Sequence, residues 1–336
     1  LHPGQFPNPK NNGTTKGSAM KYVSLPQLTN KPVPTIGVGG MLLAEPLRST
    51  GELMPWDDAI AVLHHTFAQG ITLVDTADIY APEASQFGYD ERLVGEAVRT
   101  WEGGRDSIIV VTKIGITLNV GADGEDEWGR DGSYDYLMRA AEASVERLGF
   151  VPDTILLHRV NREQQPFAKS VENMLAVREA GFAPTIGIGN VHLDECEIAW
   201  DVSGGTISGV ENERSPRYRD DEDVLRWCVE RGVAYFPWSP FGGGDDAANL
   251  PTKYPAFAEV AAEISASTGN DVTAYQVTLS WLRSNGDAVV PIAAVTRTAT
   301  ADINAASANV ELTADQIARL DVSPVGTGSV FPDDED

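Results

Sequence analysis

Ser107-Ile-Ile-Val-Val-Thr-Lys113, followed by Tyr134-Asp-Tyr-Leu-Met-Arg-Ala-Ala-Glu-Ala-Ser-Val-Glu-Arg-Leu148, Gly149 and Thr154-Ile-Leu-Leu-His158, is the stretch from which the architecture follows. Its first run is β-branched and apolar with little alternation, as expected of a strand covered on both faces. In the second, Leu137, Ala140, Ala141, Ser144, Val145 and Leu148 fall on one stripe at i, i+3, i+4 spacing, so the spacing predicts a helix packed on a strand layer. Gly149 stands where such a helix needs a left-handed C-cap. A second apolar run then begins, which makes the stretch one complete strand–helix–strand unit.

Working outward, the same unit recurs. Eight β-rich runs are readable: Thr35–Val38, Ile71–Val74, Ser107–Thr112, Thr154–Leu157, Thr185–Ile188, Gly205–Ser208, Val233–Phe236 and Ala288–Ile292. Helical spacing is found over Trp56–Ala68, Glu91–Trp101, Tyr134–Leu148, Ser170–Ala180, Asp220–Glu230 and a paired stretch from Ala256 to Leu282. Gly70, Gly181 and Gly232 repeat the punctuation of Gly149. No G-x-G-x-x-G opens a helix after an early strand, so a doubly wound dinucleotide domain is disfavoured. Eight β/α units in one chain of this length predict an α/β protein built as a single (β/α)8 TIM barrel, with chemistry at the C-terminal ends of its strands. The barrel is expected over residues 21–330. Residues 1–20 are Gly/Asn/Pro/Lys-rich and read as an expression-derived or disordered arm, and residues 331–336 as an acidic, solvated tail.

Among the 336 residues, 42% are hydrophobic and 22% charged, a globular composition. With 25 Lys+Arg against 49 Asp+Glu, the formal charge of −24 repels nucleic-acid phosphate and anionic lipid. Small-molecule partners are expected instead, and the oligomeric state is not readable. No run of about 18 apolar residues is present, and no basic-then-apolar leader begins the sequence; a cytoplasmic protein is expected. Cys196 and Cys228 lack any C-x-x-C partner, and His2, His64, His65 and His192 lack metal-binding spacing, so no metal site is expected.

The first polar residues at the ends of strands two, three and four are Asp75, Lys113 and His158, with Tyr80 five residues beyond Asp75. Adjacent barrel strands would deliver these groups to one side of a common mouth. A lysine ammonium favours the phenolate of a nearby tyrosine, an aspartate holds that ammonium charged, and a neutral histidine can donate to a carbonyl oxygen. Such a set suits protonation of an alkoxide as it forms. Taken singly, each residue has a structural alternative: a turn aspartate, a mouth ion pair, a packing tyrosine, a buried histidine. Their joint position at three consecutive strand ends favours the chemical reading.

Leu73-Val-Asp-Thr-Ala-Asp-Ile-Tyr80, Gly88-Tyr-Asp-Glu-Arg-Leu-Val-Gly-Glu-Ala97, Val111-Thr-Lys113, Ser144-Val-Glu-Arg-Leu-Gly149 and Leu156-Leu-His158 together resemble the ordered signatures of the aldo-keto reductases, from roughly Val33 to Val322. The resemblance implies a barrel that binds an extended nicotinamide dinucleotide, with Tyr80 as general acid, Lys113 and Asp75 as its tuners and His158 orienting the carbonyl. It further implies that Asn190 holds the nicotinamide carboxamide, that Trp238 stacks on the ring, and that Ser239 with Gly242, Gly243 and Gly244 cradles the pyrophosphate. Arg297 and Asn304 would bind the adenosine end, favouring NADPH, with NADH as the alternative.

Three positions around the nicotinamide depart from the family pattern, and Gly189 and Glu211 stay among the expected cofactor-binding residues. Gly189 replaces a serine, Glu211 a glutamine, and Arg214 a tyrosine. A carboxylate at 211 accepts hydrogen bonds but donates none unless protonated. Met41, Leu42, Trp128 and Arg159 are expected to line the substrate pocket, Trp128 on a Gly/Asp-rich insertion over 121–132 that reads as a lid. The resemblance therefore implies an oxidoreductase that reduces an aldehyde or ketone or oxidises the corresponding alcohol. A cofactor-binding regulatory subunit with little turnover is the alternative.

Overall fold

The computed structural model describes residues 20–120, 126–159, 162–326 and 328–332. Eight parallel strands form the central sheet: β1 (Gly37–Gly39), β2 (Leu73–Asp75), β3 (Ile109–Ile114), β4 (Thr154–Leu157), β5 (Thr185–Gly189), β6 (Ile207–Glu213), β7 (Ala234–Trp238) and β8 (Ile292–Ala294). They are hydrogen-bonded in the order β7-β6-β5-β4-β3-β2-β1-β8. The remaining seam is closed just ahead of β8: Tyr235 N–H donates to the Ala288 carbonyl at 2.8 Å, and Val290 N–H donates to the Tyr235 carbonyl at 2.9 Å. The result is an α/β (β/α)8 barrel.

Helices α1 (Trp56–Ala68), α2 (Tyr89–Thr100), α3 (Tyr134–Leu148), α4 (Phe167–Glu179), α5 (Leu193–Ser203), α6 (Glu222–Arg231), α7 (Gly243–Lys253), α8 (Pro255–Thr268), α9 (Ala274–Arg283), α10 (Thr298–Ala306) and α11 (Ala314–Asp321) lie outside the strands. The stripe expected on α3 is the buried one: Leu137, Ala141, Ser144 and Leu148 are buried, and Gly149 caps the helix at φ 79°. α5, α7, α10 and α11 are additional to the helices read from the sequence. None of the described helices is long and apolar enough to cross a membrane.

Two strand boundaries differ from the sequence reading. β6 runs to Glu213, five residues beyond Ser208, and is buried throughout. Its polar residues are invisible to an apolar pattern because their partners come from elsewhere: the Asn212 side chain bonds both the N–H and the carbonyl of Val191. The run Ala288–Ile292 supplies the seam contacts, and the ladder with β1 begins only at Ile292.

Within the barrel, large and small residues interdigitate. A Cβ on Gly37 would stand 2.6 Å from Ile292 and 2.8 Å from Leu73, and one on Gly209 2.6 Å from the Phe236 ring. Leu25, Leu28 and Val33 join this interior cluster from the N-terminal segment, whose strand Tyr22–Val23 pairs antiparallel with Val33–Pro34. The interior is thus a filled core, and chemistry is left to the rim.

Candidate active site

Asp75 ends β2, Lys113 is the penultimate residue of β3, and His158 follows β4, its N–H bonded to the Ile114 carbonyl at 2.8 Å. Parallel register puts all three at the C-terminal rim. Tyr80 reaches them because the loop after β2 folds back on itself. Thr76 and Asp78 N–H groups extend the pairing to Val111 and Lys113 carbonyls, and the Tyr80 carbonyl accepts the Asp90 N–H from the first turn of α2. Beneath the loop, Thr76 Oγ1 donates to Asp90 at 2.7 Å, Thr112 Oγ1 to Glu91 at 2.5 Å, and Arg147 Nε pairs with Glu91 at 2.5 Å. The Gly88–Ala97 signature thus acts as a clamp that holds the tyrosine loop on the barrel.

The four side chains meet. Lys113 Nζ, 1% exposed, donates to Asp75 Oδ1 at 2.5 Å, to the Thr76 carbonyl at 3.1 Å and to Tyr80 Oη at 3.2 Å. The Tyr80 and His158 rings pack edge to face, centroids 5.8 Å apart. Burial disfavours the Lys113 ammonium, yet Asp75, Glu211 and Tyr80 outweigh it and hold the amine well above its ordinary pKa. Burial raises Asp75 above the usual carboxylate range, with Lys113 opposing. For Tyr80, too, burial dominates. Lys113 pulls the phenol down as expected, but the net shift is upward, so the group is held protonated. Burial, then Lys113 and Arg159, push His158 well below an ordinary imidazole, so it is neutral at pH 7. His158 Nδ1 is buried without a hydrogen-bond partner among the described residues.

Around this centre, Asn190 (φ 54°) is fixed from three strands. Its Nδ2 donates to the His158 carbonyl at 2.8 Å, its N–H to the Glu211 carbonyl at 2.9 Å, and its Oδ1 accepts from Trp238 Nε1 at 3.1 Å. A Cβ on Gly189 would lie 3.1 Å from the His158 carbonyl and 3.3 Å from that of Glu211, so a serine fits there only if neighbouring backbone gives way. Glu211 projects to Lys113, Oε1 to Nζ 3.3 Å. Arg214 is buried, directed to Asp221 at 3.0 Å and Glu222 at 2.5 Å, and so sits in the packing of α6.

After β7, Ser239 (φ 46°) and Gly242 (φ 83°) make the turn that starts α7, closed by a Gly242 N–H to Ser239 carbonyl bond of 2.8 Å. Gly243 follows at φ 80°, and the guanidinium of Arg48 lies directly on Gly244, where any Cβ would stand. Arg217 flanks Gly242. Neither arginine is marked in the sequence: Arg48 lies on the loop after β1 and Arg217 on the loop after β6, and the fold brings both to the glycines. Arg297 is the N-cap of α10, and Asn304 in that helix is 1% exposed, with its Nδ2 unpartnered among the described residues.

Met41 lies in a 3-10 turn after β1, half-buried, beside exposed Leu42. Trp128 stands on an antiparallel hairpin, Ile116–Val120 with Asp126–Arg130, opposite Leu118 and 57% exposed. The flanks of the expected lid are therefore regular strand, while residues 121–125 lie outside the described residues. Arg159 donates to the Phe331 carbonyl at 3.0 Å. Phe331 lies against Trp238, centroids 6.0 Å apart, and Val330 N–H donates to Glu213 at 2.9 Å. Val330 and Phe331 thus lie against the residues at the mouth.

This arrangement, a buried ammonium shared between an aspartate and a phenol beside a neutral imidazole, can deliver one proton to a substrate oxygen. The sequence model of the Aldo/keto reductase family matches residues 35–323. The chain is 28% identical over 291 residues to Probable aldo-keto reductase 1 of Glycine max, covering 80% of each chain. It is 27% identical over 298 residues to Uncharacterized oxidoreductase C215.11c of Schizosaccharomyces pombe, covering 85% of this chain and 89% of that one. An aldo-keto reductase from Klebsiella pneumoniae, solved in complex with NADPH, superposes with a TM-score of 0.69 at 22% identity, over 90% of this chain and 94% of that one. Family match, barrel and rim geometry coincide, and this chain belongs to the aldo/keto reductase family of oxidoreductases.

Proposed function

We propose that the protein is an NADPH-dependent carbonyl reductase that uses Tyr80 as its general acid. The observation that carries the proposal is the position of Lys113 Nζ, 2.5 Å from Asp75 and 3.2 Å from Tyr80 Oη, with the His158 ring beside the phenol. Bound in the rim, the reduced dinucleotide would supply a hydride to the carbonyl carbon. Residues present suit that cofactor. Asn190 and Trp238 would face the nicotinamide end, Ser239 and Gly242–Gly244 with Arg48 and Arg217 the pyrophosphate, and Arg297 with the unpartnered Asn304 amide the adenosine end. The Klebsiella relative's NADPH complex and the guanidinium at the α10 N-terminus favour NADPH over NADH.

The protein's own part follows from its charges. His158, neutral, donates a ring N–H to the substrate oxygen and fixes its direction. Tyr80, kept protonated by burial, gives its proton to that oxygen as negative charge develops there. Lys113 stabilises the phenolate left behind, and Asp75 prevents the ammonium from turning away. Running the steps backwards makes Tyr80 the base of alcohol oxidation.

Tyr80→Phe removes the transferable proton while keeping the ring. The expected outcome is a kcat lower by about 10²–10⁴ on an aldehyde or ketone substrate. NADPH binding, followed by tryptophan fluorescence, is retained. Undiminished turnover by that variant overturns the assignment.

A further inference from the structure

Lys113 has three N–H bonds to give, yet four oxygens stand within reach of Nζ: Asp75 Oδ1 at 2.5 Å, the Thr76 carbonyl at 3.1 Å, Tyr80 Oη at 3.2 Å and Glu211 Oε1 at 3.3 Å. Asp75 and Glu211 are each 3% exposed, and the second oxygen of each carboxyl is buried with no partner among the described residues. With both carboxyls ionised, the cluster would carry a net negative charge away from water, which is strongly unfavourable. One proton on the carboxyl pair resolves the charge, turns the fourth acceptor into a donor and gives an orphaned oxygen a role.

We propose that Glu211 is a proton-holding, positioning residue for Tyr80: it shares one proton with Asp75 across Lys113 and returns it to the phenol after each turnover. The inference rests on the reading of Tyr80 as the acid. Tyr80 gives its proton to the substrate oxygen, the phenolate takes one from the Lys113 ammonium, and the amine takes one from the Glu211 carboxyl. Glu211 is left as a carboxylate and is refilled from solvent.

The groups that face Glu211 are Asp75 from β2, Lys113 from β3 and Tyr80 from the loop after β2. β5 and β7 offer Asn190 and Trp238, which do not titrate near neutral pH, and His158 after β4 is neutral. Glu213, two residues on, accepts from Ser329 and Val330 instead. Burial first, and then the Asp75 charge, push Glu211 well above the usual carboxylate range, in agreement with a held proton.

Protein labelled with ¹³C at the glutamate side-chain carboxyl, observed by NMR from pH 5 to 9, tests this in the wild type, Glu211→Gln and Glu211→Ala. Expected at pH 7 is one protonated glutamate signal in the wild type that is absent from either variant. A Glu211 signal already ionised at pH 6 overturns the proposal. In alcohol oxidation the proton taken up by Tyr80 leaves through Lys113 to an ionised Glu211, so the rise of kcat with pH follows that carboxyl in the wild type and is expected to move up by at least about one pH unit in Glu211→Gln, whose amide cannot take the proton. NADPH binding by fluorescence serves as the control. An unmoved limb with unchanged binding also overturns it. A wild type that turns over no carbonyl compound removes the reading of Tyr80 and leaves the NMR result standing, whereas turnover with an ionised Glu211 removes only this inference.

Discussion

Lys113 is the residue on which the charge balance of the rim depends. Among the described residues it is the cation paired with both Asp75 and Glu211, and its removal leaves these buried carboxyls without that compensation. Lys113→Met is expected to abolish turnover and to destabilise the fold by about 3–5 kcal/mol near pH 8, the cost of leaving a buried charge unpaired. Because protonation of the carboxyls removes that charge, the loss shrinks as pH falls, and thermal melts of the variant at pH 5 and pH 8 check the direction. Equal destabilisation at both values would mean that packing, not charge, sets the cost. The positions of Asp75, Lys113 and His158 at strand ends were legible in the sequence because each directly follows or ends an apolar run. The orientation of Glu211 was not. Its strand is read from the sequence only to Ser208, and three further residues carry the chain to a carboxyl whose partner lies 98 positions earlier.

At the scale of elements, the barrel closes because glycines alternate with large side chains. A Cβ at Gly187 would stand 2.5 Å from the Gly209 carbonyl and 2.5 Å from Leu156, a backbone neighbour that cannot rotate aside. Gly187→Ala is expected to cost about 1–3 kcal/mol by overpacking, read as a lowered denaturant midpoint at unchanged slope. Stability equal to the wild type would show that β5 and β6 can separate without penalty. The seam has a different character. β8 contributes three residues to the ladder with β1 and none to a ladder with β7, where Tyr235 alone bridges to residues 288–290. Helices α5, α7, α10 and α11 escaped the sequence reading, whereas α1 and α3 were read to the residue.

For the whole molecule, charge is the dominant property. The formal charge is −24, and Arg48, Arg159, Arg217 and Arg297 lie on loops that follow the strand ends, Arg217 paired there with Asp246. Burial lifts Asp90 to about 7, and burial, opposed by Arg214, lifts Asp221 to about 7, while Asp78 and Glu211 are raised as well. In each case the native state holds a proton that the unfolded chain, with an ordinary carboxyl, releases above about pH 4. Stability is therefore expected to fall as pH rises through these folded-state values, roughly from pH 5 to pH 8, and self-repulsion of the acidic surface acts in the same direction. Differential scanning fluorimetry should show the melting temperature declining over that range and recovering with added salt, which screens the repulsion. A melting temperature that climbs from pH 5 to pH 8 would contradict the buried-acid account.

What the amino-acid order determined by itself was the count of units, the class of barrel and the strand ends that carry polar groups, since hydrophobic period and glycine caps are local signals. Tertiary structure alone decided which of those groups touch, that burial outweighs Lys113 at Tyr80, and that Glu211 faces Lys113 while Arg214 faces Asp221 and Glu222. Desolvation and through-space charge depend on neighbours from other strands, and a linear pattern holds no record of them.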